Sequence, residues 1–231
     1  MLRKIIKPFV EFGPVAGPLY ILDRILSSVS PRLRLYVYEL MVQPIPAELV
    51  LPRRLNEHLE IRELKAGEPE LALMPVRAEV LRARLAQNST CLGAFRAGAL
   101  IGYMWFCDGR YDEDEVRCTY LLDPVRESVF DFDFYLFPEH RMGLAFIGLW
   151  NGAIEHLNRR GKRYTFSRLT RFNAASRRAH RRLGGKIIAR ALFLQMWRVE
   201  VMLATVFPYL HVSATKAGRV RLNLRPGTAN A

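Results

Sequence analysis

Apolar and polar positions alternate in parts of this chain, and there they predict strands. Leu33, Leu35 and Val37 alternate with Arg34 and Tyr36, which predicts a strand from Leu33 to Val42. A short helix, Ala16 to Ser28, precedes it. The segment Gln43 to Arg54 holds three prolines and reads as a linker. Beyond it the spacing predicts a strand over Leu59 to Leu64, then a helix over Glu70 to Ala86 with Pro75 in its first turns. Thr90 to Arg96 and Leu100 to Phe106 form a hairpin across Ala97-Gly98-Ala99. Asp108 to Glu115 (DGRYDEDE) is an acidic loop.

Val116 to Leu122 and Phe130 to Phe137 continue as strands. Arg141 to Arg160 is helical, with Leu144, Ile147, Trp150, Ile154 and Leu157 on one face and Gly161 as its stop. Lys162 to Arg168 is a strand. Asn173 to Leu183 is a short helix, capped by Asn173 and ended by Gly184-Gly185. Lys186 to Val206 is β-prone and predicts two strands. The tail after Lys216 is expected to fray. The order β-α-β-β-β-β-α-β-α-β-β predicts an α+β fold: a mixed, mostly antiparallel sheet flanked by helices. The boundaries expected are a helix/strand extension over 1–55, a main domain over 56–212 and a flexible tail over 213–231.

Composition narrows the class. The 231 residues are half apolar and a quarter charged, ordinary for a globular chain. Cys91, Cys107 and Cys118 make no disulfide framework and have no zinc-ribbon spacing; they read as reduced thiols of a cytoplasmic protein. His58, His156 and His211 show no metal-ligand spacing, so no metal is expected. Trp105, Phe106 and Trp150 lie in apolar patterns and read as core. Ser167 has no flanking glycine and is no nucleophile elbow.

Charge changes the picture more. The net charge is +13, and twelve Lys/Arg with no acid fall between Arg159 and Arg190. The rest is nearly neutral, 23 basic against 22 acidic residues. A localised phosphate site fits this better than a generally basic surface. Nucleic acid is the competing partner, but few aromatics interleave with those arginines. The N-terminal segment MLRKIIKPFVEF mixes basic and apolar residues. It reads as an arm packed on the domain, or as a peripheral contact with an anionic membrane. No stretch approaches the roughly 20 apolar residues of a membrane span.

Two segments could carry chemistry. In the first, the strand ending Tyr135-Leu136-Phe137 runs through Pro138-Glu139-His140-Arg141-Met142-Gly143-Leu144-Ala145 into a long helix. Free N–H groups at a helix start carry partial positive charge and suit phosphate. In the second, Asn173-Ala-Ala-Ser176-Arg177-Arg178-Ala-His180-Arg181-Arg182-Leu-Gly184 opens a helix and lines it with arginines. Taken alone it reads as a solvated basic helix or a nucleic-acid contact.

Together and in this order, the two segments resemble the GCN5-related N-acetyltransferase (GNAT) superfamily over about Leu59 to Val206. That family's pyrophosphate loop follows the fourth core strand, with Gln/Arg-x-x-Gly-x-Gly/Ala opening the next helix. His140-Arg-Met-Gly143-Leu-Ala145 matches at Gly143 and Ala145, while His140 stands where Gln or Arg is expected. The family's later motif has an Asn, a Ser or Ala, then a Tyr four residues before a Gly. Asn173, Ser176 and Gly184 match, and His180 takes the Tyr position.

The resemblance implies acetyl-CoA, or another acyl-CoA, as co-substrate and an unidentified amine as acceptor. It implies cofactor contacts from Tyr135, Leu136 and Phe137 to pantetheine and from His140, Arg141, Met142, Gly143, Leu144 and Ala145 to pyrophosphate. Asn173 and Ser176 would lie by the pantetheine arm, and Arg177 or Arg181 would meet the nucleotide phosphates. His180 is the candidate to protonate or hydrogen-bond the leaving thiolate. Asp131 and Asp133 alternate with phenylalanines, are expected on one strand face, and are the candidate bases. A relative that takes aminoacyl groups from charged tRNA is the alternative enzyme, and a nucleic-acid-binding protein the non-enzymatic one. The acidic loop could attract a cationic amine.

Overall fold

The computed structural model describes residues 2–50, 58–141, 144–215 and 217–227, with the backbone alone at 2–7 and 11. The chain forms two compact units that interleave in sequence. The first comprises 1–43, 112–121 and 167–231; the second comprises 44–111 and 122–166. The mixed α+β class holds, and every strand register described below is antiparallel.

In the first unit the N-terminal segment is built in, not appended. Helix α1 (Leu2–Val29) folds at Gly13, where φ is 85° and the two helical halves meet. The fold is tight: a Cβ at Gly17 would stand 3.0 Å from the Phe9 Cα. Phe12, Tyr20 and Phe172 then close an aromatic cluster with centroids 5.1–5.6 Å apart. Strand β1 (Leu33–Pro44) pairs along most of its length with β9 (Lys186–Met196). β9 pairs with β10 (Val199–Ala204), and β10 with β11 (Leu210–Ser213). Cross-strand neighbours share a face, so two aliphatic rows run across all four strands: Leu35-Leu194-Val201-Val212 and Val37-Leu192-Leu203-Leu210. The rows are buried at β1 and exposed at β11. The tail expected to fray instead contains β12 (Val220–Leu224) beside β6 (Cys118–Leu122), with Val220, Leu222 and Leu224 buried. Its period-2 pattern gives it a core face that outweighs its terminal position.

In the second unit the strand order is β7-β4-β3-β2: Ser128–Leu136, Ala99–Asp108, Thr90–Arg96 and Glu60–Leu64. The predicted hairpin is there, and Ala97 (φ 50°) and Gly98 (φ 78°) form its two-residue turn. The predicted helix Glu70–Ala86 splits into a 3-10 turn, Pro69–Leu73, and α2 (Ala78–Ala86). Pro75 forces the preceding Met74 to extended backbone (φ −70°, ψ 134°), which ends the turn. A core of Leu64, Leu71, Cys91, Phe95, Tyr103 and Trp105 lies under these elements. Helix α3 (Ala145–Arg159) packs by Phe146 and Trp150 against Phe134. Phe106 and Trp150 are also buried, as their apolar patterns implied. Strand β8 (Tyr164–Thr170) passes from the second unit to the first between Phe166 and Ser167. The linker expected at Gln43–Arg54 begins later, since β1 runs to Pro44; its residues 51–54 lie outside the described residues. Among the described residues no helix is long and apolar enough to cross a membrane.

Candidate functional site

β7 is bulged. Trp105 pairs with Asp133 and Phe106 with Asp131, so Phe132 is an extra residue on β7. Trp105 and Phe106 are consecutive on β4 and point to opposite faces. Their partners therefore do too, and Asp131 and Asp133 do not share a face as expected. Strict alternation failed there because the bulge shifts the period by one. Asp133 accepts a 2.6 Å bond from Arg84 Nη1 of α2. That guanidinium lies over the rings of Phe132 and Trp105, 5.2 and 5.9 Å from their centroids. Asp131 is buried on the other face.

At the end of β7, Tyr135 stacks on Tyr103 at 5.4 Å, and Phe137 N–H donates to the Ile101 carbonyl. Arg141 folds back locally: its Nε donates to the Leu136 carbonyl and its guanidinium lies over Tyr135. Pro138–His140 is a 3-10 turn that binds the His140 and Arg141 amides to Phe137 and Pro138 carbonyls. The helix therefore opens later than the predicted Arg141. α3 begins at Ala145 after Leu144, which offers no capping side chain. The first-turn amides of an α-helix have no intrahelical acceptor, so the α3 start keeps the donor set that the resemblance assigns to phosphate. Met142 and Gly143 lie outside the described residues.

In the first unit, α4 (Ala174–Arg182) follows β8. Asn173 is its N-cap, its Oδ1 accepting from the Ser176 amide at 3.0 Å. Gly184, at φ 85°, ends the helix, and the Gly185 N–H donates to the His180 carbonyl. Arg177 turns inward. Its Nε donates to the buried Glu39 carboxylate at 2.7 Å, and Arg171 lies 3.6 Å from the same group. Arg177 is thus held by a carboxylate and by the Arg171 carbonyl, while Arg178, Arg181 and Arg182 stay exposed. His180 is buried, and desolvation pulls its pKa down to about 4. It is a neutral imidazole at pH 7, depressed by burial and not by the neighbouring arginines.

Three carboxylates of the acidic loop, Asp108, Glu113 and Glu115, are taken up by this protein's own basic side chains. Asp108 meets Arg160 and Lys162, the latter at 3.3 Å. Glu113 is buried; burial raises its pKa, but the charge and bonds of Arg168 overcome that and hold it below the ordinary value. Glu115 receives Arg168 and the Tyr38 hydroxyl. These pairs join residues 50 or more apart in sequence, and no local pattern announces them. Arg84 and Glu39, the partners of Asp133 and Arg177, were missed for the same reason. Among the described residues no group of three or more His, Cys, Asp or Glu could hold a metal ion.

No known family's sequence model matches the chain, and no curated protein matches it. Some solved structures are similar to it in part. One is a putative GNAT-family acetyltransferase from Novosphingobium aromaticivorans, 17% identical, covering 68% of this chain and 62% of its own, with a TM-score of 0.44. A GCN5-related N-acetyltransferase from Sphaerobacter thermophilus is 13% identical over 79% of this chain and 55% of its own, TM-score 0.46. A GNAT-family acetyltransferase from Elizabethkingia anophelis, with acetyl-CoA bound, is 14% identical over 46% and 61%, TM-score 0.33. Each match spans less than two thirds of the other protein. The element order follows the one predicted from the sequence: antiparallel strands, a strand running through a turn into a long helix, a further strand, a short capped helix and closing strands.

Proposed function

We propose that this chain is an acyl-CoA-dependent N-acyltransferase, with acetyl-CoA as the donor and an amine as the acceptor. The observation that carries the reading is the opening of α3. A fifteen-residue helix starts without a side-chain cap directly after β7 and its turn, at the position of the His140-to-Ala145 motif. Its first-turn amides would take the pyrophosphate. Tyr135 to Phe137 would align the pantetheine arm, and the exposed Arg181 would meet nucleotide phosphate. Arg177, held by Glu39, serves better as a brace for α4.

The reaction needs two proton movements. An ammonium acceptor loses one proton to a base and its nitrogen attacks the thioester carbonyl; as the C–S bond breaks, the nitrogen gives up its second proton, which passes to the departing CoA thiolate and leaves the amide and free CoA thiol. A neutral buried His180 would serve the thiolate by donating a hydrogen bond, not as an imidazolium acid. Of the two carboxylates, Asp133 has one oxygen bound by Arg84 and would take the proton on the other, through water.

Isothermal titration with CoA and acetyl-CoA tests the reading, and no heat at high micromolar ligand would refute it. Leu144→Asp gives a sharper test. A carboxylate at the α3 N-terminus should stabilise the helix by up to about 1 kcal/mol. It should also repel the pyrophosphate and weaken CoA binding by about 10-fold or more. Stabilisation with unchanged affinity would remove the α3 start from the site. Binding of tRNA with no binding of CoA would favour the aminoacyl-transferring reading.

A further inference from the structure

Charge and exposed apolar surface concentrate in the same unit. The first unit holds twenty basic and eight acidic residues, +12 of the chain's +13. Of sixteen exposed large apolar residues among the described ones, twelve also belong to it. Their arrangement on α1 is regular. Val15, Pro18, Leu22, Ile25 and Val29 follow one another by three or four residues, so they form one stripe along the second half of the helix. The stripe faces solvent: Val15 is 64%, Ile25 55% and Val29 72% exposed. The opposite side of the helix carries Ala16, which is buried, and Tyr20, which packs on Phe12 and Phe172. The helix therefore uses its mixed face to dock on its own unit and leaves its apolar face outside.

The stripe ends at a corner suited to a lipid interface. Val29 leads into Arg32, whose carbonyl accepts the Trp197 N–H, and Trp197 is 61% exposed. Arg32 and Arg198, the one bonded to its backbone and the other next in the chain, are exposed beside it. The nearest acid on the helix, Asp23, is bound to Arg34 and to the Leu35 N–H. An indole near the end of an aliphatic stripe, with two exposed arginines beside it in the fold, matches an acyl-chain boundary below anionic headgroups.

We infer that the α1 stripe and the Trp197 corner dock this protein peripherally on an anionic lipid bilayer. Charge decides between occupants. A second copy would bring another +12 unit against this one, whereas anionic lipid complements it. The inference is independent of acyl transfer.

Sedimentation with vesicles tests it on the full chain. Vesicles of phosphatidylcholine with a quarter phosphatidylglycerol should carry the protein down, and pure phosphatidylcholine should carry far less. Ile25→Glu with Val29→Glu should lower the partition coefficient about 10-fold or more, because two aliphatic groups leave the interface and two carboxylates enter it. Both positions are exposed, so the melting temperature should stay within a few degrees; CoA affinity is the second control of folding. Trp197→Ser should also weaken binding. Three results would overturn the inference: no binding to anionic vesicles, binding that ignores the double substitution, or a stable dimer that the double substitution dissociates.

Discussion

Burial of His180 makes stability depend on pH in a direction that can be worked out beforehand. The group's pKa falls from 6.5 to about 4 because the folded protein strips water from the imidazolium. The unfolded chain takes up a proton below pH 6.5, and the folded one resists until about 4. Stability is therefore fully present above pH 6.5 and is lost as pH falls through that window. The loss attributable to this one group is about 2 kcal/mol at pH 5 and about 3 kcal/mol at pH 4. Other groups titrate there too, so the comparison is with His180→Gln, a neutral side chain of similar size. Urea unfolding at pH 7 and pH 5 gives the difference for each protein. The difference should be smaller in the variant by about 2 kcal/mol. Equal pH sensitivity in the two would show that His180 is protonated in the fold, and would reopen its role as an acid for the thiolate. Activity adds a second readout. If His180 lends a hydrogen bond to the leaving group, the variant should lose kcat at every pH and keep its CoA affinity.

Three further substitutions test the packing. Ala97→Asn places Asn-Gly in the two-residue turn where both residues have positive φ, and should raise stability by about 0.5–1 kcal/mol in a thermal melt. Leu222→Ala should cost about 2–4 kcal/mol in urea unfolding, since Leu222 is buried; no loss would mean that the C-terminal strand frays after all. Glu113→Gln leaves Arg168 short of its buried carboxylate and should cost about 3 kcal/mol, with Glu115 limiting the damage; Glu113→Leu with Arg168→Met should recover part of the loss.

Much of the fold was legible because it is written in local periods. The first part of β1 alternates, β3 and β4 are short apolar runs joined by an Ala-Gly turn, α4 announces itself by Asn173 and Gly184, and the paired motifs fall around the start of α3 and on α4. What was not legible depends on a partner far away in sequence. The bulge in β7 needs the register of β4 to be seen, and without it Asp131 and Asp133 fell on one face. Arg177 looks free for phosphate until Glu39, 138 residues earlier, is placed against it. β12 is a different case. Val220, Leu222 and Leu224 alternate with Arg221 and Asn223, so the signal is present in the sequence, and this core face outweighs the fraying expected of a chain terminus.

The distribution of charge links the two proposals and separates them by salt. Three of the first unit's acids are interior: Glu39 binds Arg171 and Arg177, Glu113 binds Arg168, and Glu200 accepts the Arg117 amide. Glu39 and Glu113 neutralise arginines that are themselves part-buried, and Glu200 is taken up by the Arg117 backbone amide and Gln195. The cations left at the surface, Arg24, Arg32, Arg178, Arg181, Arg182, Arg190 and Arg198, therefore give the exterior a more uniform positive sign than residue counts suggest. A bilayer would meet many of them at once and lose affinity steeply as salt screens the surface. Acyl-CoA would meet few of them, because on the proposed reading backbone amides at the α3 start would carry its pyrophosphate and pantetheine would bond to β7. Raising salt should then release the protein from vesicles well before it releases CoA.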